Sequence, residues 1–117
     1  MVTVNLAKAL ICFMNVCHPA LIGDDTIPGE YNLAQRHVLS SGYGGDVLQY
    51  KEDSKYVYAI HRVWTAVPSQ NRRQKLNSND PTNRIGVTKG CINVDEKVYD
   101  QLVDCCRNAK LVIEKGS

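Results

Sequence analysis

Val2, Val4 and Leu6 alternate with Thr3 and Asn5, the period-two pattern of a strand with one buried face. Residues 9–14 form a second apolar run and read as a strand returning beside the first. The Ala7-Lys8 step between them lacks the Gly, Asn or Asp that favours a tight hairpin. Residues 15–29 hold Pro19, Gly23, Asp24, Asp25, Pro28 and Gly29, a long turn-rich connection. Short strands are expected at residues 30–33 and 46–50, separated by the Gly42-Tyr43-Gly44-Gly45 loop. Tyr56-Val57-Tyr58-Ala59-Ile60 is the clearest strand, being aromatic and β-branched. His61 lies at its end, where a rigid element can aim a side chain into a cleft.

The period changes near the C-terminus. Val98, Leu102 and Cys105 recur at helical spacing, broadened by Tyr99, Val103 and Cys106, which predicts a helix over residues 95–108. Asn93 with Glu96 fits a capping box, and Asp95 is an alternative cap. Residues 110–114 then read as a closing strand. Residues 68–84 are polar and unpatterned, and no long element fits them. They read either as a solvated surface segment or as a substrate wall carrying Arg72, Arg73, Lys75 and Arg84. About six short strands and one helix make a single mainly β domain spanning residues 1–117.

Composition narrows the possible functions. The chain has 117 residues, 44% hydrophobic and 22% charged, which fits one globular domain. A net charge of +2, without basic residues interleaved with stacking aromatics, argues against a nucleic-acid partner. No apolar run reaches the roughly 18–20 residues of a membrane span. The N-terminus lacks a basic cluster and a small-x-small cleavage site, so it reads as folded structure and not a signal peptide. Zinc-ligand spacing, phosphate loops and dinucleotide fingerprints are absent, and no cofactor or metal is expected.

Five cysteines remain to be explained: Cys12, Cys17, Cys91, Cys105 and Cys106. Being odd in number, they leave one thiol over in an oxidising setting, and Cys91 is the candidate. The other four are either small buried hydrophobes or contain at least one disulfide, Cys12–Cys17 being able to close a small loop. Cys105 and Cys106, adjacent on a helix, are expected to point in different directions. Cys91 follows Gly90 directly, and His61 lies thirty residues upstream. A thiol nucleophile needs a base and a stabilised thiolate, and a helix starting just after Cys91 would supply a favourable dipole. The N–H groups of Gly90 and Cys91 are natural donors to a developing oxyanion, and His61 is the natural general base and acid. His18 and His37 lie in turn-rich segments and read as surface residues.

The run Gly86-Val87-Thr88-Lys89-Gly90-Cys91-Ile92-Asn93-Val94 closely resembles the signature of the L,D-transpeptidase catalytic domain family (YkuD-like): Ser or Thr, a variable residue, Gly-Cys, an aliphatic residue, then Arg or Asn. Ile60-His61 is similar to the pair that family places at a strand end. The first strands, the segment Thr26-Ile27-Pro28-Gly29-Glu30-Tyr31, the C-terminal helix and the final strand also resemble it, so the likeness spans nearly the whole chain. It implies a β-sandwich-like domain that cuts the bond before the terminal D-alanine of a peptidoglycan tetrapeptide stem. The acyl group is held on cysteine and passed to an amine, giving a 3–3 cross-link, or to water. Carried over, Cys91 is the nucleophile, His61 the base, the Arg62 carbonyl the group orienting the imidazole, and Gly90 an oxyanion donor.

Thr88, Lys89, Asn93, Tyr43, Trp64 and Arg84 are the expected substrate contacts, and Arg36, Arg72 and Arg73 are further candidates for a stem carboxylate. The chain departs from the family pattern at Arg62 and Trp64 after the histidine, and in the long interval between His61 and Cys91. Such enzymes work in the periplasm or cell wall. Two other readings remain: a secreted antibacterial effector with the same chemistry, partnered by an immunity protein, and a catalytically silent cell-wall-binding module.

Overall fold

The apolar alternation of the N-terminus does produce a strand. In a computed structural model, which describes residues 1–38 and 43–116, β1 (Val2–Asn5) turns Val2 and Val4 fully into the core. It pairs antiparallel with β2 (Leu10–Phe13), and β2 with β3 (Val16–Pro19). The closing strand β9 (Lys110–Glu114) runs parallel to β1, and β4 (Gly29–Asn32) pairs with its far edge. The first sheet is therefore ordered β3-β2-β1-β9-β4. The second sheet is β5 (Ala34–His37), β6 (Asp46–Glu52), β7 (Val57–Arg62) and β8 (Ile92–Val94), with β7 and β8 parallel. Both sheets are mixed, and the domain is mainly β.

One core joins the sheets to a helix, α2 (Glu96–Cys106). Val4, Ile11, Leu111 and Ile113 of the first sheet share it with Leu48, Ile60, Ile92 and Val94 of the second. Val98, Tyr99, Leu102 and Cys106 are the helix's contribution. Asp95 is the cap, accepting from the Lys97 N–H at 3.0 Å. Asn93 is not part of a capping box, because β8 holds it inside the sheet. Cys105 is exposed, and its sulfur is bonded to that of Cys106, although neighbouring helical side chains normally diverge. Cys12 and Cys17 face each other across the β2–β3 ladder and form a second disulfide, so these four cysteines are not simply buried hydrophobes. Cys91 is free.

Two strands and the segment of residues 68–84 differ from the sequence reading. β3 lies inside the expected connection of residues 15–29, and β5 precedes the glycine loop, of which Gly42 lies outside the described residues. Both are edge strands with largely exposed side chains, so backbone pairing forms them and no apolar alternation marks them. Met14 and Asn15 both take positive φ at the tight β2–β3 turn, a conformation that Asn tolerates and Met does not advertise. Residues 68–84 are built from two 3-10 turns flanking a short helix, α1 (Arg72–Leu76). Leu76 anchors α1 against Leu21, Val63 and Val87 in a small second apolar cluster.

Arg84 closes that segment and corrects an expectation. Only 4% exposed, it donates to the carbonyls of Lys8, Ala9 and Ser78, and so ties the segment to the β1–β2 turn instead of facing substrate. A buried guanidinium satisfied by three carbonyls leaves those carbonyls stranded when it is removed. Arg84→Met is expected to lower unfolding free energy by roughly 2–4 kcal/mol. Urea denaturation checks this, and an unchanged midpoint would refute the brace. No described helix is long and apolar enough to cross a membrane.

Candidate active site

Strand alternation sorts β7 into two faces. Tyr58 and Ile60 enter the core, while Val57, Ala59 and His61 line a cleft. β8 lies beside β7 in parallel register, Ile60 opposite Ile92 and His61 opposite Asn93. Cys91 immediately precedes β8, and its Sγ sits 3.7 Å from the Val57 carbonyl oxygen. Two clefts share Tyr43, Val57, His61 and Cys91. One, of about 460 Å³, continues past Arg36, Val38 and Val47. The other, of about 270 Å³, continues past Trp64, Arg72, Thr88 and Lys89.

The imidazole of His61 is 2% exposed and doubly held. Its Nδ1 lies 2.7 Å from the Arg62 carbonyl oxygen, which can only accept, so Nδ1 carries the hydrogen. Asn93 Oδ1 accepts from the Trp64 N–H at 3.0 Å and from Arg72 Nη1 at 3.1 Å, which fixes the amide's orientation. Asn93 Nδ2 then points at His61 Nε2, 3.4 Å away. The Asn93 Nδ2 donor requires a neutral imidazole with its lone pair on Nε2, and the Arg62 carbonyl fixes the hydrogen on Nδ1. Burial pushes the His61 pKa down to about 4, with nearby Arg72 acting in the same direction against the Arg62 hydrogen bond.

Burial also pushes the Cys91 thiol above its ordinary value, against the opposing effects of the Ala59 backbone and Arg72. The resting pair is therefore a neutral thiol and a neutral base. The helix dipole expected from the sequence does not act at Cys91, because β8 intervenes and α2 begins only at Glu96. Thr88 Oγ1 donates to the Cys91 carbonyl at 2.6 Å and holds the turn closed.

Two hydroxyls orient the peptide ahead of the thiol. The Gly90 carbonyl accepts from Thr26 Oγ1 at 2.9 Å and from the Tyr50 hydroxyl at 2.8 Å, both buried. No peptide bond is cis, so the Cys91 N–H points opposite to that carbonyl, away from the two hydroxyls. Burial raises the Tyr50 pKa and keeps the phenol a donor. Gly90 must be glycine here, because a Cβ would stand 2.5 Å from the Tyr58 ring. Thr26 opens the segment that resembles the family's turn, but nothing local marks its hydroxyl, or that of Tyr50, as having a partner forty or more residues away.

No family model and no curated protein matches the sequence. Among solved structures, the crystal structure of an L,D-transpeptidase from Xylanimonas cellulosilytica is similar, with a TM-score of 0.56 at 16% identity. The match covers 97% of this chain and 59% of that one, so the chain spans less than two thirds of its neighbour. The fold is L,D-transpeptidase-like.

On this L,D-transpeptidase-like fold the other candidate residues have varied surroundings. Tyr43 packs edge-on against His61, with ring centroids 4.7 Å apart, and against Trp64 at 4.8 Å. The Arg62 side chain turns away from the cleft. Its Nη1 donates to the Tyr43 carbonyl at 3.1 Å and to Asp46 Oδ1 at 2.9 Å, and its guanidinium lies over the Tyr99 ring. Arg62 thus serves the cleft twice, its carbonyl fixing His61 and its side chain holding the Tyr43 turn. Lys89 stands at the rim, paired with Asp25 at 3.3 Å. Arg36 lines the larger cleft and pairs with Glu52, and Arg73 is exposed against Asp95 and Glu96. Only Arg72 of residues 68–84 enters the hydrogen-bond network of His61 and Asn93. A thiol and a lone-pair-bearing imidazole lining shared clefts are parts that acyl transfer requires.

Proposed function

We propose that the protein is a cysteine acyltransferase acting on peptidoglycan tetrapeptide stems, in the manner of L,D-transpeptidases. The observation that carries this reading is the convergence of Cys91 and of His61, whose Nε2 bears the lone pair that Asn93 Nδ2 faces at 3.4 Å, on shared clefts of an L,D-transpeptidase-like fold. The setting implied is the periplasm or cell wall.

In the first step Cys91 Sγ attacks the carbonyl preceding the terminal D-alanine as its proton passes to His61 Nε2. The Cys91 N–H donates to the resulting oxyanion. Collapse breaks the C–N bond, and the imidazolium returns the proton to the departing amine, leaving a thioester. In the second step His61 takes a proton from an incoming amine or water, which attacks the thioester and releases the thiol. The imidazolium forms only transiently, and the Arg62 carbonyl holds its Nδ1–H throughout. Because both resting groups are neutral, the proton moves as the S–C bond forms and not beforehand.

Incubation with a purified disaccharide tetrapeptide, followed by mass spectrometry, tests the proposal. Loss of D-alanine is expected, as free tripeptide if water accepts or as a 3–3 dimer if an amine does. An unchanged substrate would favour a cell-wall-binding module that keeps only the fold.

A further inference from the structure

Arg72 and Arg73 are chain neighbours with opposite surroundings. Arg73 is exposed and bridges two carboxylates, Asp95 and Glu96. Arg72 has no carboxylate partner among the described residues. Its one acceptor there is the neutral Asn93 Oδ1, and its buried Nε has no acceptor among those residues. Burial lowers its pKa, and the ionisable groups coupled to it are Cys91 and Tyr43, both neutral at rest. The chain goes to some trouble to place it. The 3-10 turn at Pro68–Gln70 ends in a left-handed Asn71, which reverses the backbone into α1, and Leu76 anchors the far end of that helix. A half-buried cation with unmet donors is costly unless an anion completes it.

The smaller cleft supplies the place for that anion. Arg72 and Lys89 are the cations that line it, and Lys89 already has Asp25 as a counter-charge. Trp64, Tyr43 and Tyr56 wall it, and their weakly polar rings strengthen the field of the remaining guanidinium. Cys91 lies in the same cleft, and a volume of about 270 Å³ suits a residue-sized group. A guanidinium fork is matched to a carboxylate. We infer that Arg72 forms a carboxylate-binding subsite beside Cys91, selecting acyl donors whose reacting carbonyl is followed by a single residue with a free α-carboxylate. This rests on Cys91 being the acyl-accepting thiol. Arg72 then sets specificity while also bracing Asn93.

Two small alkylating reagents read the subsite without any peptidoglycan chemistry. Iodoacetate and iodoacetamide both place a carbon on the thiolate as iodide departs, and they differ by one negative charge next to the reacting carbon. Cys91 is the free thiol, so intact mass follows the reaction. Any change in thiolate population slows both reagents alike and cancels in their rate ratio. At low ionic strength, Arg72→Met is expected to reduce the iodoacetate-to-iodoacetamide rate ratio roughly tenfold or more, the scale of one lost charge-assisted hydrogen bond. Arg72→Lys should keep most of the ratio, and Arg73→Met all of it. A ratio unchanged in Arg72→Met, or equal loss of both rates, would overturn the subsite and leave Arg72 a brace. In the second arm, turnover of a tetrapeptide stem is compared with that of its C-terminal amide. The wild type should prefer the acid, and Arg72→Met should lose that preference through KM. If neither stem turns over while the alkylation ratio shifts, the stem reading fails and the carboxylate subsite stands.

Discussion

Cys91→Ala is expected to abolish turnover of a tetrapeptide stem, a loss of about 10⁴-fold or more, because covalent catalysis has no second route once the acyl carrier is gone. The protein should nonetheless fold. The thiol is only partly buried, and its one hydrogen bond is a long contact of 3.7 Å to the Val57 carbonyl. Removing one sulfur from such a position changes stability by less than about 1 kcal/mol. Turnover measured by mass spectrometry, with thermal unfolding as the control, checks both halves. Wild-type turnover in the folded variant would remove the thiol from the chemistry. Loss of turnover together with loss of the fold would instead make Cys91 a packing residue.

His61→Ala is expected to slow acylation by about 10²–10⁴-fold, the usual worth of a positioned general base. The stronger test is the pH profile. The His61 pKa is held down to about 4 by burial, so the imidazole is a competent base well below neutrality. The acid limb of kcat/KM should fall near pH 4, and an ordinary limb near 6.5 would mean a hydrated, unburied histidine. Stability should follow the same group. Between about pH 6.5 and 4 the unfolded chain binds a proton at this histidine and the folded chain does not. Stability is therefore intact above the unfolded pKa and declines as pH falls through that window, by at most roughly 3 kcal/mol from this group. Urea midpoints at pH 7 and pH 4 should drop less in His61→Gln than in the wild type.

The sequence carried the core better than the edges. β1, β7, β9 and α2 announce themselves, because each buries one face and writes its period into the chain. β3 and β5 bury almost nothing, so their existence is decided by backbone pairing that no side-chain pattern records. The sequence pointed to Cys91 and His61 through a local signature and a strand end. It could not separate Arg72 from Arg73 or Arg84, three arginines in one polar stretch. Their roles diverge only once Asn71 reverses the chain and Leu76 and Arg84 pin it. The roles of the Tyr50 and Thr26 hydroxyls were illegible for a related reason, since each acts on a carbonyl far away in sequence.

The neutral resting state of Cys91 also bears on durability. Peroxides attack thiolates far faster than thiols, and the first product, a sulfenic acid, is the start of irreversible inactivation. A cleft that raises the thiol's pKa keeps its most vulnerable form scarce until substrate arrives. With Cys12–Cys17 and Cys105–Cys106 already oxidised, the chain has no spare thiol to form a mixed pair with Cys91. On the proposed reading, the same desolvation that keeps His61 uncharged also protects the thiol that carries the acyl group.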